Sequence, residues 1–254
     1  TRSSLSKRRP RTTRTTRIDP SSQTPLSTPL LFFITVHRLS TGSKSFDDLL
    51  GGGIECGSVT LLYGEAGTGK TNICLQAAFS FIESEGRKVA YVDTEGLSSE
   101  RIEQISSGEE ARKNLLVFQV RSFEEQIDRI AKVVRLAEAN DKIGLIIVDS
   151  MTMYYRLKSD DMSVRNEFVK QTEMLLNAAR KSEVAVLLTS QVYTNIGAGT
   201  IEFLGGHAMH HNAKTIIRLE KKGNGRRAAI MVKHRSIPEG RKATYSITEK
   251  GISD

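Results

Sequence analysis

A short segment between residues 64 and 71 has the residue types and spacing needed to bind a phosphate chain. Gly64 to Thr71 reads GEAGTGKT and matches the pattern G-x-x-x-x-G-K-[ST], with the apolar run SVTLLY before it and a run of helical periodicity after it. We expect the loop to surround the phosphates of ATP with backbone N–H groups, Lys70 to bridge the β- and γ-phosphates, and Thr71 to offer its hydroxyl to Mg²⁺. The other residues assigned to nucleotide binding are Gly64, Glu65, Ala66, Gly67, Thr68 and Gly69.

Two carboxylates follow apolar runs further along the chain. The run IGLIIVDS places Asp149 at the carboxyl end of a strand, where it would hold Mg²⁺ directly or through water. The segment YVDTEG presents Glu95 after another strand, and parallel strands bring their carboxyl ends to one edge of a sheet. We therefore predict that Glu95 polarises the attacking water as a general base, while Asp93 and Thr94 support the turn.

A glutamine and three histidines accompany a glycine-rich loop. Gln191 follows the strand-like run VAVLLTS and begins the loop of residues 192–206, so its amide would sense the γ-phosphate or, alternatively, bond to loop carbonyls. His207, His210 and His211 come next. Three interpretations stay open for them: a metal site, incidental histidines on a surface helix, and γ-phosphate sensing by one of the three.

The composition limits the classes of function. The formal charge is +8, but residues 1–35 carry seven basic side chains against one acidic one, so the other 219 residues hold only +2. A nucleic-acid surface on the folded part must therefore be local. Cys56 and Cys74 suit free thiols in a reducing compartment, which predicts a cytoplasmic location. No apolar stretch approaches the roughly 20 residues that cross a bilayer, so we expect no membrane association.

Residues 1–35 differ in composition from the rest of the chain. They are rich in Arg, Ser, Thr and Pro, so we expect a disordered basic tail followed by one ATPase domain over residues 36–254. A basic nucleic-acid arm, an organellar transit peptide and sequence translated from upstream of the true start are the open interpretations of this tail. The last is favoured, because position 1 is not Met and ordered-looking sequence begins abruptly at Val36.

From Val36 onward, strand-like runs alternate with helical patterns, which is typical of an α/β fold with a mostly parallel sheet. The strands that we predict are 58–63, 88–93, 115–120, 144–149 and 184–190. Helices are predicted from Ser122, an N-cap with Glu125 three residues later, and over 165–180, where Phe168 and Val169 belong to the apolar face. After Gly205, three short strands with an Asn-Gly turn predict an antiparallel extension of the sheet.

Longer segments resemble the RecA/RadA recombinase superfamily. They are LSTGSKSFDDLLGGGIECGSVTLLYGEAGTGKT, YVDTEG, IIVDS, LLTSQV, GGHAMHHNAKTIIRLEK and KHRSIPEGRKATYSITEKGI. The resemblance covers nearly everything from Leu39 to Asp254 and is strongest to a short archaeal branch without an N-terminal helix-hairpin-helix domain. It implies a RecA-like P-loop ATPase core, with a mostly parallel twisted sheet flanked by helices and an antiparallel C-terminal extension.

The resemblance also implies roles for individual residues. Gln191 falls on the allosteric glutamine before the second DNA-binding loop, and His211 falls on a histidine that contacts the γ-phosphate. Lys233 and Arg235 resemble the basic-x-basic pair that reaches the ATP of a neighbouring protomer in bacterial RecA. The first DNA-binding loop would span about 153–165, with aromatic residues for base stacking. Its basic residues are Arg156, the main expected DNA contact, with Lys158 and Arg165.

The stretch LSSER after Glu95 departs from the family pattern. It is one residue shorter than the family's usual stretch and lacks the adenine-stacking arginine of that pattern. This departure predicts weak nucleotide binding.

The resemblance implies a slowly hydrolysing, DNA-binding ATPase of recombination. Its expected cofactors are ATP and Mg²⁺, and its expected partners are single-stranded and double-stranded DNA, a RadA recombinase that it assists, and further copies of itself. Two alternatives stay open. One is a KaiC-like regulatory ATPase or autokinase, although those domains carry paired glutamates where Gly96 follows Glu95 here. The other is a non-catalytic adaptor whose nucleotide gates partner binding.

Overall fold

A computed structural model describes Thr1, residues 36–195 and residues 200–254 of this chain. A boundary between two units falls between Thr35 and Val36. The tail predicted for residues 1–35 lies, apart from Thr1, outside the described residues and stays a prediction.

The described part of the chain alternates strands and helices, and the elements that the apolar runs predict occur in it in the predicted order. Its strands are β1 (Arg38–Leu39), β2 (Ile54–Glu55), β3 (Val59–Gly64), β4 (Lys88–Asp93), β5 (Leu115–Gln119), β6 (Ile143–Asp149), β7 (Ala185–Ser190), β8 (Val192–Asn195), β9 (Thr200–Phe203), β10 (Thr215–Lys221), β11 (Arg226–Lys233), β12 (Lys242–Thr248) and β13 (Gly251–Ser253). Its helices are α1 (Lys44–Leu49), α2 (Lys70–Glu85), α3 (Ser99–Ile105), α4 (Glu109–Lys113), α5 (Phe123–Ala139), α6 (Met162–Ser182) and α7 (Gly206–Asn212), with a 3-10 turn at Tyr155–Leu157.

One nine-stranded sheet organises this part of the chain. Its strand order is β13-β12-β11-β10-β3-β7-β6-β4-β5. The strands from β10 to β5 are parallel, and β11, β12 and β13 continue the sheet antiparallel. Strands β3, β6 and β7 are buried along their whole length, because helices cover both faces of a parallel sheet. The predicted fold class is confirmed.

The helices cover the two faces through separate apolar clusters. One cluster joins α1 and α2 to the sheet, and the other joins α5 and α6 to the opposite face. Ser122 caps α5 as predicted, since its hydroxyl accepts the N–H of Glu125 at 3.1 Å. The Asn-Gly turn is also confirmed, with Asn224 at φ 60° and Gly225 at φ 73°, the left-handed pair that a tight hairpin requires.

Two details of the sequence interpretation were wrong. Val169 is 37% exposed, because the buried stripe of α6 runs through Phe168 and Leu175, and the position next to Phe168 points about 100° away. The first strand after Gly205, β10, pairs parallel with β3 rather than antiparallel, since α7 carries the chain back across the sheet before it. The antiparallel extension therefore begins at β11.

Among the described residues, no helix is long and apolar enough to span a membrane. Cys74 is buried, Cys56 is half-buried, and both are free thiols. Burial raises the pKa of Cys56 to about 11, so that thiol stays protonated near neutral pH.

Candidate nucleotide-binding and catalytic site

The phosphate-binding loop lies between β3 and α2, with its backbone folded tightly against the neighbouring strand. A Cβ atom at Gly64 would come within 2.5 Å of the Leu219 carbonyl oxygen, so only glycine fits there. Helix α2 begins at Lys70 after Gly69, which has φ 98°. The loop therefore ends at the amino terminus of a long helix, where free N–H groups and the helix dipole favour an anion.

The buried Lys70 side chain bonds to the first two residues of the phosphate-binding loop. Its Nζ donates to the carbonyl oxygens of Gly64 at 2.8 Å and Glu65 at 3.2 Å. Burial lowers the pKa of Lys70, and the nearby carboxylates of Glu95 and Asp149 oppose that shift. The ammonium group is thus held within the loop that a phosphate chain would enter.

Asp149 is buried beneath the loop and accepts three hydroxyl hydrogen bonds. The donors are Thr71 at 2.7 Å, Tyr91 at 2.8 Å and Thr189 at 2.5 Å. Burial raises the pKa of Asp149, and these hydrogen bonds oppose the shift. The sequence predicted that Thr71 and Asp149 would meet, but nothing in the motif pointed to Tyr91 or Thr189.

The oxygen donors of this site fit Mg²⁺. Thr71 and Asp149 offer hard oxygen ligands side by side, and the described residues contain no group of three His, Cys, Asp or Glu side chains that could form an all-protein metal cage. Mg²⁺ prefers this arrangement, because it usually takes one or two protein oxygens together with phosphate oxygens and water. The donor set supports a phosphate-bound Mg²⁺ rather than a separate metal centre.

Glu95 lies on the exposed turn that follows β4. The Asp93 carboxylate shapes this turn by accepting the N–H groups of Glu95 at 3.2 Å, Gly96 at 2.8 Å and Leu97 at 2.8 Å. Thr94 ties the turn to the end of β6, since its hydroxyl exchanges hydrogen bonds with Ser150. Asp93 and Thr94 thus support the turn in the way that their positions suggested, while the Glu95 carboxylate faces the cleft.

Gln191 connects Glu95 to the roots of two loops. Its side-chain Nε2 donates to Glu95 Oε1 at 3.0 Å, and its backbone N–H donates to Thr152 Oγ1 at 3.0 Å. The Gln191 Oε1 atom is buried and has no hydrogen-bond partner among the described residues. Gln191 thus bonds both to Glu95 and to Thr152, and it directly precedes the loop of residues 192–206.

A cleft of about 220 Å³ opens between these groups. Its lining comprises Gly64, Glu65, Ala66, Lys70, Glu95, Arg156, Gln191 and Val192. The structure thus brings the phosphate-binding loop, the predicted base and the predicted sensor to one cavity. It also places Arg156, predicted as a DNA contact, in that cavity.

The other residues of the first predicted DNA loop point in different directions. Lys158 pairs with Glu124 at 3.1 Å, and Arg165 lies near Asp160 at 3.8 Å. Tyr154 donates to the Val120 carbonyl at 3.0 Å, and Tyr155 stacks on Phe168 with ring centroids 4.1 Å apart. Both tyrosines therefore anchor the loop to the protein, whereas the sequence interpretation assigned them to base stacking.

The histidines lie on α7, outside the lining of the cleft. His211 is exposed, and His210 stacks on Phe203 with ring centroids 6.4 Å apart. Burial lowers the pKa of His210, and the charge of Lys233 adds to the effect. No group of three potential metal ligands exists in the described ranges, so the metal interpretation finds no support.

Lys233 and Arg235 are engaged away from the cleft of their own subunit. Lys233 Nζ donates to the carbonyl oxygens of His210 and Ala213, at the end of α7. Burial lowers the pKa of Lys233. Arg235 pairs at 3.3 Å with Glu55, a carboxylate that is only 7% exposed. In these positions neither cation reaches the cleft of its own subunit.

The antiparallel strands brace the phosphate-binding loop, and the sequence did not reveal this. Tyr245 Oη donates to the Thr68 carbonyl at 2.7 Å, and Arg227 Nε donates to the Gly67 carbonyl at 3.0 Å. The shortened stretch LSSER also supplies an arginine beside α2, since Arg101 Nε donates to Asn72 Oδ1 at 2.6 Å. No local motif marks these residues, because their partners lie about 30 to 180 positions away in the chain.

Comparisons with known proteins agree with this geometry. A family model described as Rad51 matches residues 34–254. The DNA repair and recombination protein RadB of Methanococcoides burtonii is 44% identical over 223 residues, covering 85% of this chain and 97% of the relative. The protein of the same description from Archaeoglobus fulgidus is 43% identical over 218 residues, covering 84% and 97%.

A solved structure described as the crystal structure of the RadB recombinase superposes with a TM-score of 0.76. It is 36% identical and covers 85% of this chain and 99% of its own. With a family model that matches the whole core and relatives above 40% identity, this chain belongs to the Rad51 family of RecA-like recombinases, in its RadB group.

Proposed function

We propose that this protein is a Mg²⁺-dependent ATP hydrolase that binds DNA and acts in recombination and repair as an accessory to a RadA-type recombinase. The observation that carries the proposal is the 3.0 Å hydrogen bond between Gln191 and Glu95, which joins the residue that we assign to water activation to the start of a surface loop. Relatives named as DNA repair and recombination proteins support the biological role.

The residues of the cleft suit in-line transfer of the γ-phosphoryl group to water. The loop N–H groups and Lys70 bind the phosphates, with Lys70 exchanging the carbonyls of Gly64 and Glu65 for phosphate oxygens. Thr71 and Asp149 would hold Mg²⁺, which would supply positive charge to neutralise the phosphate oxygens. Glu95 accepts a proton from the attacking water, and its exposed position on the turn leaves room for that water.

Gln191 couples this chemistry to the DNA-binding loops. When water and the γ-phosphate occupy the cleft, Glu95 exchanges its bond to Gln191 for a bond to water, and Gln191 is freed to bind the phosphate. Its backbone bond to Thr152 extends the coupling to the loop of residues 153–165. Lys158 and Arg165, on the exposed part of that loop, are the cations that we assign to DNA phosphates.

Assembly completes the site in this proposal. Lys233 and Arg235 leave their carbonyl and Glu55 partners and reach the nucleotide of a neighbouring copy in a homo-oligomer. His211 contacts the γ-phosphate once α7 moves with the preceding loop. Two free cysteines agree with a location in the reducing cytoplasm.

The turn after β4 argues against the autokinase alternative. Gly96 has φ 88°, a left-handed conformation that a second glutamate at this position would adopt only with strain. A pair of adjacent carboxylates is therefore disfavoured by the backbone as well as absent from the sequence.

The decisive experiment measures ATP turnover with and without single-stranded DNA for the wild type and for Lys70→Ala. We expect single-stranded DNA to change the wild-type rate and Lys70→Ala to lose about 100-fold or more in turnover, because a buried cation that binds phosphate is removed. Lys181→Ala, an exposed lysine on α6, is the matched control. Double-stranded DNA in a parallel arm tests the second DNA partner.

Two outcomes would contradict the proposal. If Lys70→Ala keeps the wild-type turnover, ATP is hydrolysed at another site or by a contaminating enzyme. If DNA neither binds at low salt nor alters the rate of ATP turnover, a DNA-coupled function is excluded, because low salt strengthens contacts with DNA phosphates.

A further inference from the structure

Arg156 occupies a position that the DNA-binding role does not explain. It lines the same cleft as Lys70, Glu95 and Gln191, next to the loop that would hold the phosphates. The two other cations assigned to this loop, Lys158 and Arg165, do not line the cleft. Arg156 therefore differs in location from both of these cations.

Contacts of neighbouring residues hold the backbone of Arg156 beside the cleft. Tyr154 is bonded to the Val120 carbonyl, and Tyr155 is stacked on Phe168. The Arg156 backbone N–H donates to the Thr152 carbonyl at 3.1 Å, while the Thr152 hydroxyl accepts the N–H of Gln191. These contacts hold the backbone of the 3-10 turn at the edge of the cleft, so that Arg156 is one of the residues lining it.

The guanidinium of Arg156 has unused hydrogen-bonding capacity. Within residues 36–195 and 200–254, no side-chain hydrogen bond or ion pair engages it, whereas Lys158 pairs with Glu124 and the Arg165 guanidinium binds the Ser159 carbonyl. An arginine offers five donors in a planar fork that matches phosphate oxygens. A guanidinium without a protein acceptor, on a residue that lines the cleft, is available to the nucleotide.

We infer that Arg156 binds the γ-phosphate of ATP in its own subunit, as an arginine supplied in cis that distinguishes ATP from ADP and neutralises charge during transfer. This inference rests on the proposed function and deepens it. Lys158, which we assign to DNA phosphates, lies two residues after Arg156. Binding of the γ-phosphate by Arg156 therefore sets the position of Lys158. The nucleotide and DNA then contact residues of the same short 3-10 turn and its end.

The test compares the affinities of a non-hydrolysable ATP analogue and of ADP, measured calorimetrically with Mg²⁺ and without DNA. The proteins are the wild type, Arg156→Ala, Arg156→Lys and, as a matched control, Arg135→Ala, which removes an exposed arginine of α5. We expect Arg156→Ala to weaken analogue binding about 10- to 100-fold, the usual worth of a hydrogen bond between charged groups, and ADP binding less than about threefold. Arg156→Lys should recover part of the preference, and Arg135→Ala should match the wild type.

A second measurement separates nucleotide from DNA as the partner. Nucleotide-free DNA affinity at low salt should be equal in the wild type and Arg156→Ala. An Arg156→Ala protein with the wild-type ratio of ATP-analogue to ADP affinity and with weakened DNA binding would overturn the inference and make Arg156 a DNA contact only. Equal and negligible analogue binding by the wild type and Lys70→Ala would instead overturn the proposed function itself.

Discussion

The floor of the nucleotide cleft and its rim differ in how completely their polar groups are bonded within one subunit. The floor consists of Lys70, Thr71 and Asp149, and hydrogen bonds inside the chain engage all three side chains. The rim consists of Glu95 and Arg156, which lie exposed on loops. Glu95 has one side-chain partner, Gln191, and Arg156 has none among the described residues.

This difference suggests that the floor binds the nucleotide and that the rim regulates its turnover. Buried polar groups must be bonded, so the positions of the floor residues are set when the sheet folds, and a ligand only exchanges one bonded partner for another. The rim residues are solvated and exchange partners at small cost, so nucleotide, DNA or a neighbouring subunit can reposition them. We expect mutations in the floor to remove activity and mutations in the rim to change its regulation.

The largest effect is expected from Asp149→Asn in the floor. Loss of the carboxylate that we assign to Mg²⁺ should lower turnover about 1,000-fold, because a bound metal contributes several kcal/mol to stabilising the transition state. The same variant should unfold at a higher temperature than the wild type without nucleotide at pH 8, since a buried charge is removed. Thermal unfolding with and without Mg²⁺ and ATP measures both effects.

The pH dependence of this stability difference has a defined sign. Burial raises the folded-state pKa of Asp149, so its favourable contribution is complete below the ordinary aspartate pKa and is lost as pH rises through the raised pKa. The advantage of Asp149→Asn should therefore grow with increasing pH. A variant less stable than the wild type at pH 8 would show that the three hydroxyl bonds outweigh burial.

The second effect tests whether the rim is completed by another subunit. Lys233→Ala/Arg235→Ala should lower turnover about 10- to 100-fold, the usual loss for cations bonded to phosphate. These protomers are then mixed in equal amounts with Glu95→Gln protomers. At roughly a quarter of the head-to-tail interfaces, one protomer then supplies an intact Glu95 and its neighbour supplies the intact basic pair, so turnover should recover in proportion. No recovery in mixed assemblies confirmed by native mass spectrometry would confine the pair to its own subunit.

The third effect concerns the connection between rim and loops. Gln191→Ala removes the hydrogen bond to Glu95, so the ratio of turnover with DNA to turnover without DNA should fall about fivefold or more towards one. Gln119→Ala, an exposed glutamine on β5, should keep the wild-type ratio. An unchanged ratio in Gln191→Ala would mean that DNA affects turnover through residues other than Gln191.

The smallest effect is expected where the antiparallel strands brace the floor. Tyr245→Phe removes the hydroxyl that donates to the Thr68 carbonyl, which should lower the free energy of unfolding by about 1 kcal/mol and raise KM about two- to threefold. Tyr193→Phe, on a tyrosine that is 44% exposed, should change the unfolding energy much less. Urea denaturation of both variants checks the difference.

The sequence by itself determined the elements and the floor of the cleft. Apolar runs with strand and helix periods located eight of the nine strands of the large sheet to within about one residue, because burial imposes those periods on the chain, whereas the three-residue strand β13 was not predicted. The motif from Gly64 to Thr71 and the position of Asp149 after an apolar run were sufficient to predict a shared phosphate and metal site, since parallel strands end at one edge.

Only the tertiary structure decided which side chains surround that floor. Tyr91 and Thr189 reach Asp149 from neighbouring strands, and Tyr245 reaches the phosphate-binding loop from a strand about 180 residues away. Arg156, the main expected DNA contact, also lies in the lining of the cleft, because Tyr154 and Tyr155 pack inward and hold the loop against the protein. Such choices depend on contacts between residues distant in sequence, whereas periodicity and motifs report only on near neighbours in the chain.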